Sequence, residues 1–263
     1  IHELADPRVT AVQEAYVREV IRTVNDLDNV LFEISNENHP PSTDWQYHMI
    51  ELIRRTERAM PKQHPVGMTF QYQGGSNQTL FDSPADWISP NPDGGYRDDP
   101  PAADGTKVII NDTDHLWGIG GNAQWVWKSF CRGLNPIFMD PYDGAVIGGR
   151  FEPRWDPVRK SLGQALALAE RLDLARMTPH NALASTGFCL ADPGVDYIVY
   201  LPDGGVAELD LSAAQGGLSV EWIDASTGAA TPGASVDGGG RIRLAAPFAG
   251  NAVIHVWVPP AER

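Results

Sequence analysis

The sequence is short of cysteine and of basic residues, and it has no long apolar run. Its two cysteines, Cys131 and Cys189, fall in different predicted elements and have no metal-ligand spacing. The burial habit of free cysteine predicts two buried thiols, which leaves the redox compartment open. Twenty Lys and Arg against 34 Asp and Glu give a formal charge of -14. Nucleic-acid binding needs clustered cations, so this balance argues against a phosphate-binding surface and against a nucleic-acid partner. It suits a neutral substrate. No segment approaches the roughly 20 apolar residues of a membrane helix, so no membrane partner is expected. The sequence reads without a signal-peptide pattern, a cofactor or metal signature, an internal repeat or a low-complexity tract, and no cofactor is expected. The chain opens on Ile1 and reads as if it starts inside a domain.

What is present is ordinary for a globular protein. The 263 residues suffice for one large domain or two modest ones, and 42% hydrophobic with 21% charged residues argues against long disorder. Val9, Val12, Tyr16, Val20 and Val24 recur at helical spacing and predict a helix over 8–27. The apolar run 29–34 predicts a buried strand. Thr43 and Asp44 cap a second predicted helix that stops at Pro61. Strands follow over 65–70, 86–89 and 107–111, with a Pro/Asp/Gly-rich loop over 90–106. A helix over 122–132, a strand over 136–139 and a helix over 156–174 complete this part. Alternation of this kind predicts parallel strands with helical crossovers. From Thr186 the pattern changes to short alternating strands, at 197–201, 206–211, 218–223, 241–244 and 252–258, punctuated by turns such as Pro202-Asp203-Gly204-Gly205. The expected fold class is therefore α/β plus β. Residues 1–180 are expected to form a domain of parallel strands with helical crossovers, as in a β/α barrel, and residues 181–263 an antiparallel β-sandwich.

Three features could carry chemistry. Glu37 lies just past the strand 29–34, flanked by Asn36 and Asn38. The carboxyl ends of parallel barrel strands form the active face, and a carboxylate there suits general acid/base work, with the flanking amides binding substrate hydroxyls. The bland alternative is a loop carboxylate that caps the next helix. The second feature is Asn111-Asp112-Thr113-Asp114-His115, at the end of the strand 107–111. If that strand continues, Asp112 and Asp114 point the same way, and neighbouring like charges raise one pKa. A solvated turn or a helix cap is the alternative; Asp-x-Asp-His is loose as a metal signature. The third feature is a set of aromatic and polar residues at strand ends and loops: Trp87, Trp117, Asp140 and Tyr142, with His115, as candidate sugar contacts. Trp125, Trp127 and Phe130 lie within a helix and are expected in the core. His39, His48 and His64 have no partner readable from the sequence.

The segment 29–37, Asn-Val-Leu-Phe-Glu-Ile-Ser-Asn-Glu, resembles the fourth-strand motif of the large retaining glycoside hydrolase clan built on the eight-stranded β/α barrel. The resemblance implies that Glu37 is the acid/base. It also implies that the strand ending in Asp112 is the seventh, whose end carries the nucleophile. The clan has Glu there and this chain has Asp, so Asp112 and Asp114 both stand as the second carboxylate. The chain is more closely similar to bacterial proteins of the DUF4038 and apiosidase-like group, which end in a collagen-binding-type sandwich. Tyr197 to Gly204 and Glu221 to Asp224 carry the likeness of the tail. It implies a carbohydrate substrate and a secreted or periplasmic setting. In that register strands one to three are missing, which leaves about strands four to eight, an open sheet. A fragment, a stable open form or a homodimer closing the edge would each account for it.

Overall fold

The computed structural model describes residues 1–140 and 152–259. The chain gathers into two compact units. The first comprises residues 1–93 and 106–110, and the second residues 94–105 and 111–263.

The first unit opens on helix α1 (Pro7–Val24), which Asp6 caps by accepting the Arg8 backbone N–H at 2.9 Å. Strand β1 (Phe32–Glu33) follows, then α2 (Thr43–Glu57), β2 (Val66–Thr69), α3 (Asn77–Asp82), β3 (Trp87–Ser89) and β4 (Val108–Asp112). The strands β1/β2, β2/β3 and β3/β4 pair in parallel, with Phe32 beside Val66, Gly67 beside Trp87 and Trp87 beside Val108. Parallel pairing requires a crossover, and α2 and α3 supply the first two. α2 turns Trp45, Met49, Ile50, Leu52 and Ile53 inward. β2 is buried at all four positions, as expected of a strand covered on both faces.

The strand predicted over 29–34 shrinks to two residues in β1. Leu31 is exposed there, and a short outer strand limits the edge it offers to other chains. The helix α3 falls in the loop between the strands expected over 65–70 and 86–89, where Ser76 caps it by accepting the Gln78 N–H at 3.1 Å.

In the second unit α4 (Thr113–Trp117), α5 (Ala123–Cys131), β5 (Asn135–Ile137) and α6 (Asp156–Ala169) precede, among the described residues, nine strands. These are β6 (Thr178–Pro179), β7 (Cys189–Asp192), β8 (Asp196–Leu201), β9 (Val206–Asp210), β10 (Gly217–Asp224), β11 (Ala230–Pro232), β12 (Val236–Asp237), β13 (Arg241–Ala245) and β14 (Ala252–Trp257). The first sheet of the protein runs in the order β1-β2-β3-β4-β5. A second, antiparallel sheet runs β11-β10-β14-β8-β7-β6 with β12 beside β10, and β9 pairs with β13 in a third. One buried cluster joins the antiparallel strands, with Tyr197, Val199 and Leu201 of β8, Val220 and Trp222 of β10, Ile254 and Val256 of β14, and Leu209 and Leu244 of the small sheet. Each such side chain contributes about 1.5–3 kcal/mol by leaving water.

The loop 94–105 is held by one carbonyl. Tyr96 O accepts the Asn111 Nδ2 and the Trp125 Nε1, both at 3.1 Å. Trp125, Trp127 and Phe130 are buried, as the sequence predicts, and so are the free thiols Cys131 and Cys189. Burial pushes the Cys189 thiol up to about 12. Among the described residues no helix is long and apolar enough to cross a membrane.

Candidate functional site

In the first unit the candidate residues sit at the carboxyl end of β1. The chain leaves Glu33, passes Ile34 and Ser35, and turns at Glu37, whose φ is 47°. That is the left-handed region, which a residue with a β-carbon enters only at a cost of about 1–2 kcal/mol. The Glu37 N–H donates to Thr69 Oγ1 of β2 at 3.3 Å. Glu37 is half-buried and Asn36 is exposed. Asn38 is engaged in the turn: its Nδ2 lies 3.0 Å from Ser35 Oγ and from His2 Nδ1, and its Oδ1 accepts the His39 N–H at 2.9 Å. Glu37 does not cap α2, which begins behind Ser42.

Trp87 lies within β3 and is buried. Its indole covers Gly67, where an added β-carbon would fall 1.9 Å from the ring. The ring fills the sheet surface, and its exposure is 7%. Two residues that sequence reasoning passed over also stand at this end. Thr69 ends β2 and contacts Glu33 Oε1 at 3.1 Å. Gln71, buried just beyond β2, donates from Nε2 to Thr43 Oγ1 at 3.0 Å. Nothing in the sequence flags either, because each acts on residues at least 28 positions away.

In the second unit β4 stops at Asp112, and α4 starts at once. The alternation expected to align Asp112 with Asp114 therefore does not run on. Asp112 is the N-cap residue of α4, and its carboxylate accepts the Asp114 N–H at 2.9 Å. Burial pushes the Asp112 carboxyl above the usual range. The charge of Asp114 adds to that rise, while the Asp114 N–H and His115 oppose it. A carboxylate with a raised pKa beside a second carboxylate is a common feature of working sites. Asp114 is half-buried and His115 is buried, with an Asp114 oxygen and a His115 ring nitrogen within 4.8 Å of each other. Such a pair can face one ligand. Thr113 is buried, and its Oγ1 accepts the Met139 N–H at 2.8 Å, which ties α4 to the segment after β5.

The remaining candidates are spread along this unit. Trp117 ends α4, half-buried, edge-on to Trp125 with centroids 5.5 Å apart. Asp140 is exposed and grips Arg159 with both oxygens, at 2.8 and 2.5 Å. That guanidinium holds the Asp140 carboxyl below its ordinary range. Tyr142 lies outside the described residues.

No protein-family model matches the chain, and no curated protein matches it. Solved structures do. One is a glycoside hydrolase with a TM-score of 0.66 and 14% identity, covering 93% of this chain and 68% of its own. Another is a glycoside hydrolase family 5 protein from Bacteroides vulgatus, with a TM-score of 0.65 and 14% identity, covering 93% of this chain and 66% of its own. The chain thus shares the fold of glycoside hydrolases over nearly its whole length and spans about two thirds of theirs. At this identity the likeness is one of fold.

Proposed function

We propose that the chain is a glycosidase of the two-carboxylate kind, with Glu37 as general acid/base and Asp112 or Asp114 as nucleophile or base. The observation that carries the proposal is positional. In a sheet whose strands run parallel, Glu37 follows the carboxyl end of β1 and Asp112 ends β4, within a glycoside hydrolase fold. The carboxyl ends of parallel strands are where such folds place their chemistry. Glycoside hydrolysis needs one carboxyl to protonate the leaving oxygen and another to attack or to activate water. Burial holds the Asp112 carboxyl above its ordinary range, as at many sites where a carboxyl exchanges protons.

In this reading residues 1–180 are a partial barrel, about strands four to eight, and residues 181–263 a sandwich of the collagen-binding type found in the apiosidase-like group. The substrate is a plant or microbial polysaccharide or oligosaccharide, contacted by Asn36, Asn38, His115, Trp117, Asp140 and Tyr142. Trp87, the first residue of β3, is 7% exposed and packs over Gly67, so the proposal does not rest on it. A non-catalytic carbohydrate- or protein-binding role is the second reading. It is favoured by the engagement of Asp112 as a helix cap and of Asp140 by Arg159.

The test is a screen on aryl glycosides and plant polysaccharides with the wild type, Glu37→Gln, Asp112→Asn and Asp114→Asn. Activity lost in Glu37→Gln and in one of the two Asp variants supports the proposal. Equal activity in Glu37→Gln and wild type overturns the role of Glu37. The anomer released first distinguishes retention, with carboxyls about 5 Å apart, from inversion, at about 6.5–9.5 Å.

A further inference from the structure

Thr69 is the last residue of β2 and is 3% exposed. Its hydroxyl oxygen lies 3.3 Å from the Glu37 nitrogen, 3.1 Å from Glu33 Oε1 and 3.3 Å from the Ser35 carbonyl oxygen. The chemistry of the three groups fixes the direction of each bond. The Glu37 N–H donates to Oγ1, and the single hydroxyl proton goes to the Glu33 carboxylate or to the Ser35 carbonyl, which only accept. One side chain of β2 therefore gathers residues 33, 35 and 37, three successive positions of the same parity along β1 and its exit.

Glu37 needs such a hold. Only Glu37 and Gln73 have positive φ without being glycine among the described residues. A residue persists in that region where its surroundings over-determine it. Asn and Asp offset the cost with short local hydrogen bonds, and the longer Glu side chain is not among those that enter it readily.

We propose that Thr69 is a positioning residue: by binding the Glu37 N–H it holds the backbone at 37 in the left-handed conformation, and so sets where the Glu37 side chain departs from the chain. It acts through Glu37 and does not touch substrate. The proposal deepens the acid/base reading of Glu37 and rests on it. Valine in place of Thr69 keeps the shape and removes the acceptor; serine keeps the acceptor and removes a methyl group.

The experiment compares full-length wild type, Thr69→Val, Thr69→Ser and Glu37→Gln. Crystal structures give φ at residue 37, hydrogen exchange gives the protection of its amide, and kinetics on the best aryl glycoside give kcat and KM separately. In Thr69→Val the φ at 37 leaves the positive region, the amide exchanges faster, and kcat falls about ten- to a hundredfold with KM little changed. Thr69→Ser restores all three. A Thr69→Val protein that keeps φ at 37, or keeps kcat while only its melting temperature falls, overturns the proposal. If Thr69→Val does not fold, Thr69→Ala takes its place under the same criteria. Equal activity of Glu37→Gln and wild type, or an inactive wild type, removes the acid/base reading, and the φ and exchange measurements still decide whether Thr69 holds residue 37.

Discussion

The Asp112 carboxylate accepts the backbone N–H of Asp114 at 2.9 Å, so one candidate catalytic group fixes the position of the other. The two roles of Asp112 separate by substitution. Asp112→Ala removes both cap and charge and should cost about 1 kcal/mol of stability as well as activity. Asn caps as well as Asp, so Asp112→Asn should leave the urea midpoint near that of wild type. If Asp112 is the second carboxylate, Asp112→Asn still loses activity. Denaturation curves read beside initial rates make the comparison.

The pH profile gives an independent reading of the same pair. Burial, aided by the Asp114 charge, raises the Asp112 pKa above 3.8. A raised pKa keeps the group protonated to higher pH, so the acid limb of kcat/KM should lie above that of a free aspartate. Asp114→Asn removes a charge that raises it and should move the limb downward. A limb that stays put in Asp114→Asn would show that Asp112 does not govern it.

Glu37 sits where glycine is at ease. Its φ of 47° means that Glu37→Gly relieves backbone strain, although glycine also gains freedom in the unfolded chain. Stability should be unchanged or raised by up to about 1 kcal/mol, and under the proposed acid/base role of Glu37 hydrolysis of aryl glycosides should be abolished. A large loss of stability would mean that the side chain, and not the backbone, keeps this turn in place.

His64 brings pH dependence to the first unit. Its Nδ1 lies 2.6 Å from Glu57 Oε1 and its Nε2 2.8 Å from the Leu27 carbonyl. A carbonyl and a carboxylate only accept, so the two contacts favour the doubly protonated, cationic ring. The Leu27 carbonyl and then Glu57 raise its pKa above 6.5; burial and nearby Lys62 oppose them. The stabilisation is therefore complete below pH 6.5 and is lost as pH rises through the folded-state value. Unfolding free energies should fall as the pH rises above 6.5, and His64→Gln should flatten the curve.

Gly67 meets the Trp87 indole at a distance that excludes any side chain. Gly67→Ala should destabilise the protein by about 1–3 kcal/mol or more, because two strands of the sheet must part or the ring must turn. A shift in tryptophan emission would accompany the loss.

Much of the first sheet was legible from sequence. Apolar runs bounded by caps placed β2, β3 and β4 within a residue or two, and helical spacing placed α1, α2 and α5. The misses share one cause. β1 shortened, α3 appeared in a loop, and the strand at Asp112 gave way to α4, each through a hydrogen bond or exposure that residue type alone does not announce.

For the candidate site the sequence by itself determined which chemical groups stand at the strand ends. Glu37 follows an apolar run, and Asp112 and Asp114 close another, because hydrophobic periodicity is local and survives in one dimension. Tertiary structure alone decided what those groups touch. Thr69 is 32 residues from Glu37, Glu57 is 32 from Asn25, and Trp87 lies across Gly67 from the next strand. Strand pairing sets these neighbours, and pairing depends on the whole sheet. The sequence therefore named the carboxylates, and the folded sheet supplied the hydroxyl that holds Glu37 and the burial that raises Asp112.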